Sequence, residues 1–133
     1  MDIRYLVPLI LLVVAVPIYL GSGEKALTVD EAVQRSGELQ GQNITVRGKV
    51  VQGRLMCTQM YCGNSSCCNT CSGQVRLKGE KSITLQGENI GCSGKSCNIT
   101  CTPETGQKYI VKGQLQKKYG QIVLRVSNYR KVN

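Results

Sequence analysis

The stretch CTQMYCGNSSCCNTCSGQVRLKGEKSITLQGENIGCSGKSCNITC, Cys57 to Cys101, holds all eight cysteines of the 133-residue chain. They fall into a group of five (Cys57, Cys62, Cys67, Cys68 and Cys71) and a group of three (Cys92, Cys97 and Cys101), separated by two short apolar runs. If every thiol is paired, pairing inside a group uses cysteines two at a time, so groups of five and three must share an odd number of bridges. At least one disulfide therefore ties the two groups together. Cys67 and Cys68 are adjacent, point differently along the chain and are expected to take separate partners. An even count in a small chain with an export-type N-terminus predicts a disulfide framework. A metal site fits less well: only Cys68 and Cys71 have a two-residue gap, and the chain has no His. A redox dithiol at that pair would want a helix start to lower one thiol pKa, whereas this pair sits in a loop crowded with other cysteines.

The two runs inside the stretch alternate. Val75 and Leu77 lie between Gln74, Arg76 and Lys78, and Ile83 and Leu85 between Ser82, Thr84 and Gln86. This is the period of a half-buried strand, so strands two and three form a hairpin. Upstream, Ile44, Val46 and Val50 alternate with Thr45, Arg47 and Lys49 as strand one, with Gly48 where a bulge is expected. Downstream, Tyr109, Val111 and Leu115 make strand four, a turn falls at Tyr119-Gly120, and Ile122, Leu124 and Val126 make strand five. Gly91 to Thr105 is expected to be loop. Leu27 to Arg35 reads as a short helix, with Thr28 and Glu31 at capping-box spacing and Ser36-Gly37 stopping it.

Ahead of the helix, Tyr5 to Leu20 is sixteen residues of apolar, proline and tyrosine character, preceded by Arg4 and followed by Gly21-Ser22-Gly23. Residues 1–23 form either a signal peptide or a membrane anchor, and Pro8 and Pro17 near the ends, where a helix tolerates them, favour the anchor. Arg4 and the amine then stay inside, and residues 24–133, one cysteine-rich domain, face the extracytoplasmic side; they are secreted if the segment is cleaved. With no Phe and no Trp the core must come from Val, Ile and Leu, with room for a Tyr. Disulfides would compensate, at about 2–4 kcal/mol each.

The formal charge is +9, and the N-terminal segment, with Asp2 and Arg4, contributes nothing to it. After Glu104 there is no acid, while seven bases follow from Lys108 to Lys131. Arg47, Lys49, Arg76, Lys78, Lys112 and Arg125 occupy outward strand positions and are expected to form one basic face, attractive to polyanions or to an acidic protein. Asn43, Asn64 and Asn98 each begin an N-glycosylation acceptor pattern. Without His there is no triad or Cys-His pair, and the seven acids after residue 23 are scattered, so no catalytic residue, metal or cofactor is expected.

Five strands grouped three plus two, with a long connection between the third and fourth, resemble the OB-fold over Leu27 to Val132. The expected class is all-β: a five-stranded OB-like Greek-key barrel with a short N-terminal helix and disulfide-rich loops. An exported OB domain behind a single span also resembles, in architecture, the haem chaperone of cytochrome c maturation. That family holds haem through a histidine or cysteine after the barrel, and here no His exists and no Cys follows Cys101. The resemblance to OB-folds implies single-stranded nucleic acid or another polyanion as one ligand class. Such folds stack bases on aromatic rings, however, and between Tyr19 and Tyr109 the only aromatic is Tyr61. The preferred expectation is a membrane-tethered binding or structural module, an accessory subunit with a protein partner.

Overall fold

The computed structural model describes residues 25–64 and 67–133. The apolar segment and residues 1–23 lie outside the described residues. Alternation of apolar and polar residues makes strands of most of the remainder, and the chain is all-β with disulfide-rich connections. In order, the elements are β1 (Leu27–Thr28), α1 (Val29–Gln34), α2 (Ser36–Leu39), β2 (Asn43–Cys57), β3 (Thr70–Leu77), β4 (Ile83–Gln86), β5 (Gly91–Lys95), β6 (Asn98–Thr102), β7 (Lys108–Lys118) and β8 (Gln121–Lys131). The five anticipated strands are present as β2, β3, β4, β7 and β8. The sheet nevertheless has eight strands, not five. Gly91 to Thr105, expected as loop, contains the β5–β6 hairpin, because glycine and serine with a disulfide opposite them sustain a ladder that apolar periodicity does not announce.

The pairings run in a closed circuit. β2 pairs antiparallel with both β3 and β7, β7 with β8, β3 with β4, and β4 closes parallel onto β8 through Leu85 opposite Leu124. Inside the circuit the inward positions of every strand meet: Val46 and Val50, Val75 and Leu77, Ile83 and Leu85, Val111 and Leu115, and Leu124 are all buried. Burying each such side chain contributes about 1.5–3 kcal/mol. Val29, Ala32 and Leu39 from the two helices join the same core.

Thr28 caps α1 as anticipated, its Oγ1 accepting from the Glu31 N–H at 3.2 Å. Ser36-Gly37 does not end the helical segment; a further turn follows, with Arg35 paired to Glu38 and Leu39 buried. Gly48 is not a bulge, since it stays in register opposite Tyr109. Its role is close approach: a Cβ there would stand 2.7 Å from Val29 Cγ2, so α1 could not lie as near the strand. The bulge in β2 falls instead between Gln52 and Leu55, and a second irregularity lies between β7 and β8 at Lys112/Gly113, where the Ser127 hydroxyl donates to the Lys112 carbonyl at 3.1 Å. Tyr119 and Gly120, both at positive φ, make the tight turn between β7 and β8.

Candidate binding surface

Past its bulge, β2 leaves the circuit and continues beside the start of β3, with Leu55 opposite Gly73, Met56 opposite Ser72 and Cys57 opposite Cys71. β5 pairs with the other side of this segment, Ser72 opposite Ser93, and β6 pairs with β5, Ser93 opposite Thr100. The result is a four-stranded ribbon whose one face carries the exposed row Met56, Ser72, Ser93 and Thr100. Cys57–Cys71 and Cys92–Cys101 each join directly opposed residues, with Cα atoms 4.0 Å apart. Cys67–Cys97 ties the loop after β2 to the β5–β6 turn, and Cys62–Cys68 closes that loop on itself. One bridge thus joins the two cysteine groups, and the neighbours Cys67 and Cys68 take different partners.

Asn69 organises the loop. Its Oδ1 accepts from the Met60 N–H at 2.7 Å and from the Thr58 hydroxyl at 3.1 Å, while its carbonyl accepts from the Ser96 N–H at 2.9 Å. The backbone held in this way turns Met60 and Tyr61 outward, 62% and 96% exposed, and Met56 on the neighbouring strand is 73% exposed. Three large apolar side chains therefore stand in water on the most cross-linked part of the molecule. Composition hid Met56 and Met60; the signal available was an apolar pair inside a loop bracketed by cysteines. At the sheet's margin, β6 has a strand neighbour on one side only among the described residues.

The anticipated cations all occupy outward positions, but Lys112, Arg76 and Arg125 line three separate hollows. Arg47, Lys49 and Lys112 share the outward side of β2 and β7, with Lys78 beside them just past the end of β3: the Lys78 N–H donates to the Lys49 carbonyl at 2.9 Å, Lys49 is opposite Lys108, and Thr45 is opposite Lys112. Two cations not singled out from the sequence, Lys108 and Arg130, belong here as well, Arg130 lying opposite Ile110 and so in the same row as Arg47. Their outward positions were implied by the alternation around Tyr109 and, beyond the irregularity at Ser127, only by the register. Arg76 is elsewhere. It lines a cleft of about 190 Å³ with Lys81, Thr84 and Gln121, and its Nε is buried without a hydrogen-bond partner. Arg125 stands opposite Gln86 and lines a third hollow with Glu88 and Lys118.

A shallow cleft of about 200 Å³ on the main basic face is lined by Thr45, Lys112, Asn128 and Arg130, with Ile110, Tyr129 and Ala26 completing it. Two cations, an amide and a hydroxyl around one hollow suit an anionic oxygen group. The three sequon asparagines Asn43, Asn64 and Asn98 are exposed. All eight cysteines are oxidised, so none is free as a thiolate ligand, and no cluster of three or more candidate metal ligands occurs among the described residues. No described helix is long and apolar enough to cross a membrane. No protein-family model, curated protein or solved structure matches the chain.

Proposed function

We propose that this chain is a binding module with an OB-like five-stranded ring, tethered to the extracytoplasmic face of a membrane by residues 5–20, that docks a protein partner through its disulfide-stapled ribbon. The closed order of β2, β3, β4, β8 and β7, with its single parallel contact between β4 and β8, supports the OB-like reading. Four disulfides fit an oxidising compartment outside the cytoplasm. The observation that carries the docking role is the exposure of Met56, Met60 and Tyr61 on that ribbon. A stiff surface loses little conformational freedom on association, and Tyr and Met are favoured in the cores of interfaces. The open edge of β6 supplies backbone groups to which a partner strand adds.

Single-stranded nucleic acid is the weaker reading. The outward residues of β3 and β4, Gln74, Arg76, Thr84 and Gln86, and Lys78 just past β3, include no ring on which a base would stack. Binding, not catalysis, is the role proposed.

The test compares proteins co-purified with the detergent-extracted full chain, with Met60→Ser/Tyr61→Ser, and with Arg47→Gln/Lys49→Gln. A stoichiometric partner lost from the first variant and retained by the second is expected. A partner indifferent to Met60 and Tyr61, or a salt-resistant, sequence-selective oligonucleotide complex, overturns the proposal.

A further inference from the structure

The charges of the described chain are segregated by element. β2 carries three bases, β7 four and β8 three, and none of these strands carries an acid. The described acids sit on the helices (Asp30, Glu31, Glu38) or in connections (Glu80, Glu88, Glu104). On the outer side of these strands the rows Thr45, Lys112, Asn128 and Arg47, Ile110, Arg130 lie side by side, followed by Lys49 and Lys108. This face is a broad patch of one sign, and the cleft between Lys112 and Arg130 is a recess in it suited to an anionic oxygen group.

The patch also lies where the chain enters the domain. Ala26 lines the cleft itself, and Lys25 lines the adjoining hollow with Asn43 and Thr45. The apolar run ends at Leu20, six residues before Ala26 in sequence. Six residues reach at most about 20 Å even when fully extended. A tether of that reach holds the face near the lipid headgroups, where a negative surface acts on lysine and arginine over about one Debye length.

We propose that the outer face of β2, β7 and β8 docks on anionic phospholipid headgroups, with Lys112, Arg130, Asn128 and Thr45 receiving a headgroup phosphate and Arg47, Lys49 and Lys108 adding to the attraction. This deepens the membrane-tethered reading and rests on it. Docking this face leaves the ribbon, with Met60 and Tyr61, for the protein partner: the lipid contact uses the outward side of the circuit strands, and the ribbon begins only beyond the β2 bulge. Nucleic acid is the other polyanion such charge would attract. The position of the patch at the chain's entry favours lipid, because a duplex or single strand has no reason to be bound beside the tether.

The experiment uses the 15N-labelled full chain in lipid nanodiscs that contain a trace of lipid with a gadolinium-chelate headgroup, comparing neutral phosphatidylcholine discs with discs holding phosphatidylglycerol. In anionic discs, line broadening should concentrate on the amides of residues 45–49, 108–112 and 128–130, and 0.5 M NaCl should relieve it. Arg47→Gln/Lys49→Gln and, separately, Lys112→Gln/Arg130→Gln should each weaken the face-specific contact, by about fivefold per cation removed. Broadening centred on other strands of the anionic-disc complex overturns the proposal, as does a pattern unchanged by salt and by both variants. Inorganic phosphate that shifts the cleft amides while anionic discs broaden none of the face reveals a free-anion site and also overturns it. So does a twelve-nucleotide single strand that displaces the face from anionic discs at micromolar concentration. Co-elution with neutral discs reports on the tether alone. Should it fail, the tethered reading falls, while the anionic discs still decide whether this face recognises headgroups.

Discussion

The circuit of β2, β3, β4, β8 and β7 and the ribbon that leaves it share β2 and β3 but are held together by different forces. In the circuit, inward Val, Ile and Leu from five strands meet in one buried cluster; the Cys92–Cys101 bridge packs against it from the ribbon, and no disulfide has both its cysteines on the circuit's paired core positions. In the ribbon the side chains are mostly Ser, Thr, Gly and Asn, Leu55 and Ile99 are only half-buried, and all four disulfides are concentrated there. Apolar burial stabilises a layer only where side chains can converge from several directions, which a closed circuit provides and an open ribbon does not. Without Phe or Trp the chain has too little apolar volume for two such cores, so the second region depends on covalent restraint of its unfolded state.

The comparison yields quantitative expectations. The largest concerns the circuit: Leu77→Ala, a truncation at a fully buried position, should cost about 2–5 kcal/mol, measured from the urea midpoint at constant slope. Amides of β2 and β7 should lose exchange protection by a matching amount. If they do not, the circuit is not the cooperative unit. Next come the ribbon's bridges, which should rank by the length of chain they close. Cys67→Ser/Cys97→Ser, opening a separation of 30 residues, should cost about 3–4 kcal/mol, and Cys62→Ser/Cys68→Ser, opening 6, about 2 kcal/mol. Exchange of the β5 and β6 amides is the readout, and equal costs would show that restraint of the unfolded chain is not the mechanism. The smallest effect falls at the lid of the circuit. Thr28→Ala removes the acceptor for the Glu31 N–H and should cost about 1 kcal/mol in thermal or urea unfolding. A broadened transition in place of a shifted one would mean that α1 unfolds separately from the strands it covers.

Much of the circuit was legible from sequence, because alternation is a property of near neighbours. Val46, Val75, Leu85, Val111 and Leu124 each declare an inward side through the polar residues next to them. The cap at Thr28 and the turn at Tyr119-Gly120 are likewise set within four residues. The β5–β6 hairpin was not legible. Its residues are Gly, Ser, Asn and Cys, and what makes strands of them is pairing with β3, a partner about twenty residues upstream. Gly48 was misassigned for a similar reason: a glycine in a strand signals a bulge or a close approach, and only the position of Val29 decides between them.

Candidate surfaces divided in the same way. Six outward cations were identifiable one by one, but their grouping was not. Positions related by alternation on different strands become neighbours only when register and strand order are known. The irregularity at Ser127 puts Asn128 and Arg130 in the rows of Lys112 and Ile110, bringing Arg130 to the main face. Arg125, opposite Gln114 and Gln86, stands one row further along the outward side and lines a different hollow.

By itself, the amino-acid sequence determined that the chain is β-rich, where its five longest-patterned segments lie, that its net positive charge belongs to the part after residue 23, and, by parity alone, that full pairing of the cysteines requires a bridge between the two groups. Only the tertiary structure decided which cysteines are bonded, that β4 closes parallel onto β8, that the cysteine-rich connections form a ribbon carrying Met56, Met60 and Tyr61 into water, and which cations share a face. The physical reason is range. Periodicity, capping and counting act along the chain or are independent of geometry, whereas register, closure and disulfide partnership depend on which distant segments come within about 5 Å of each other.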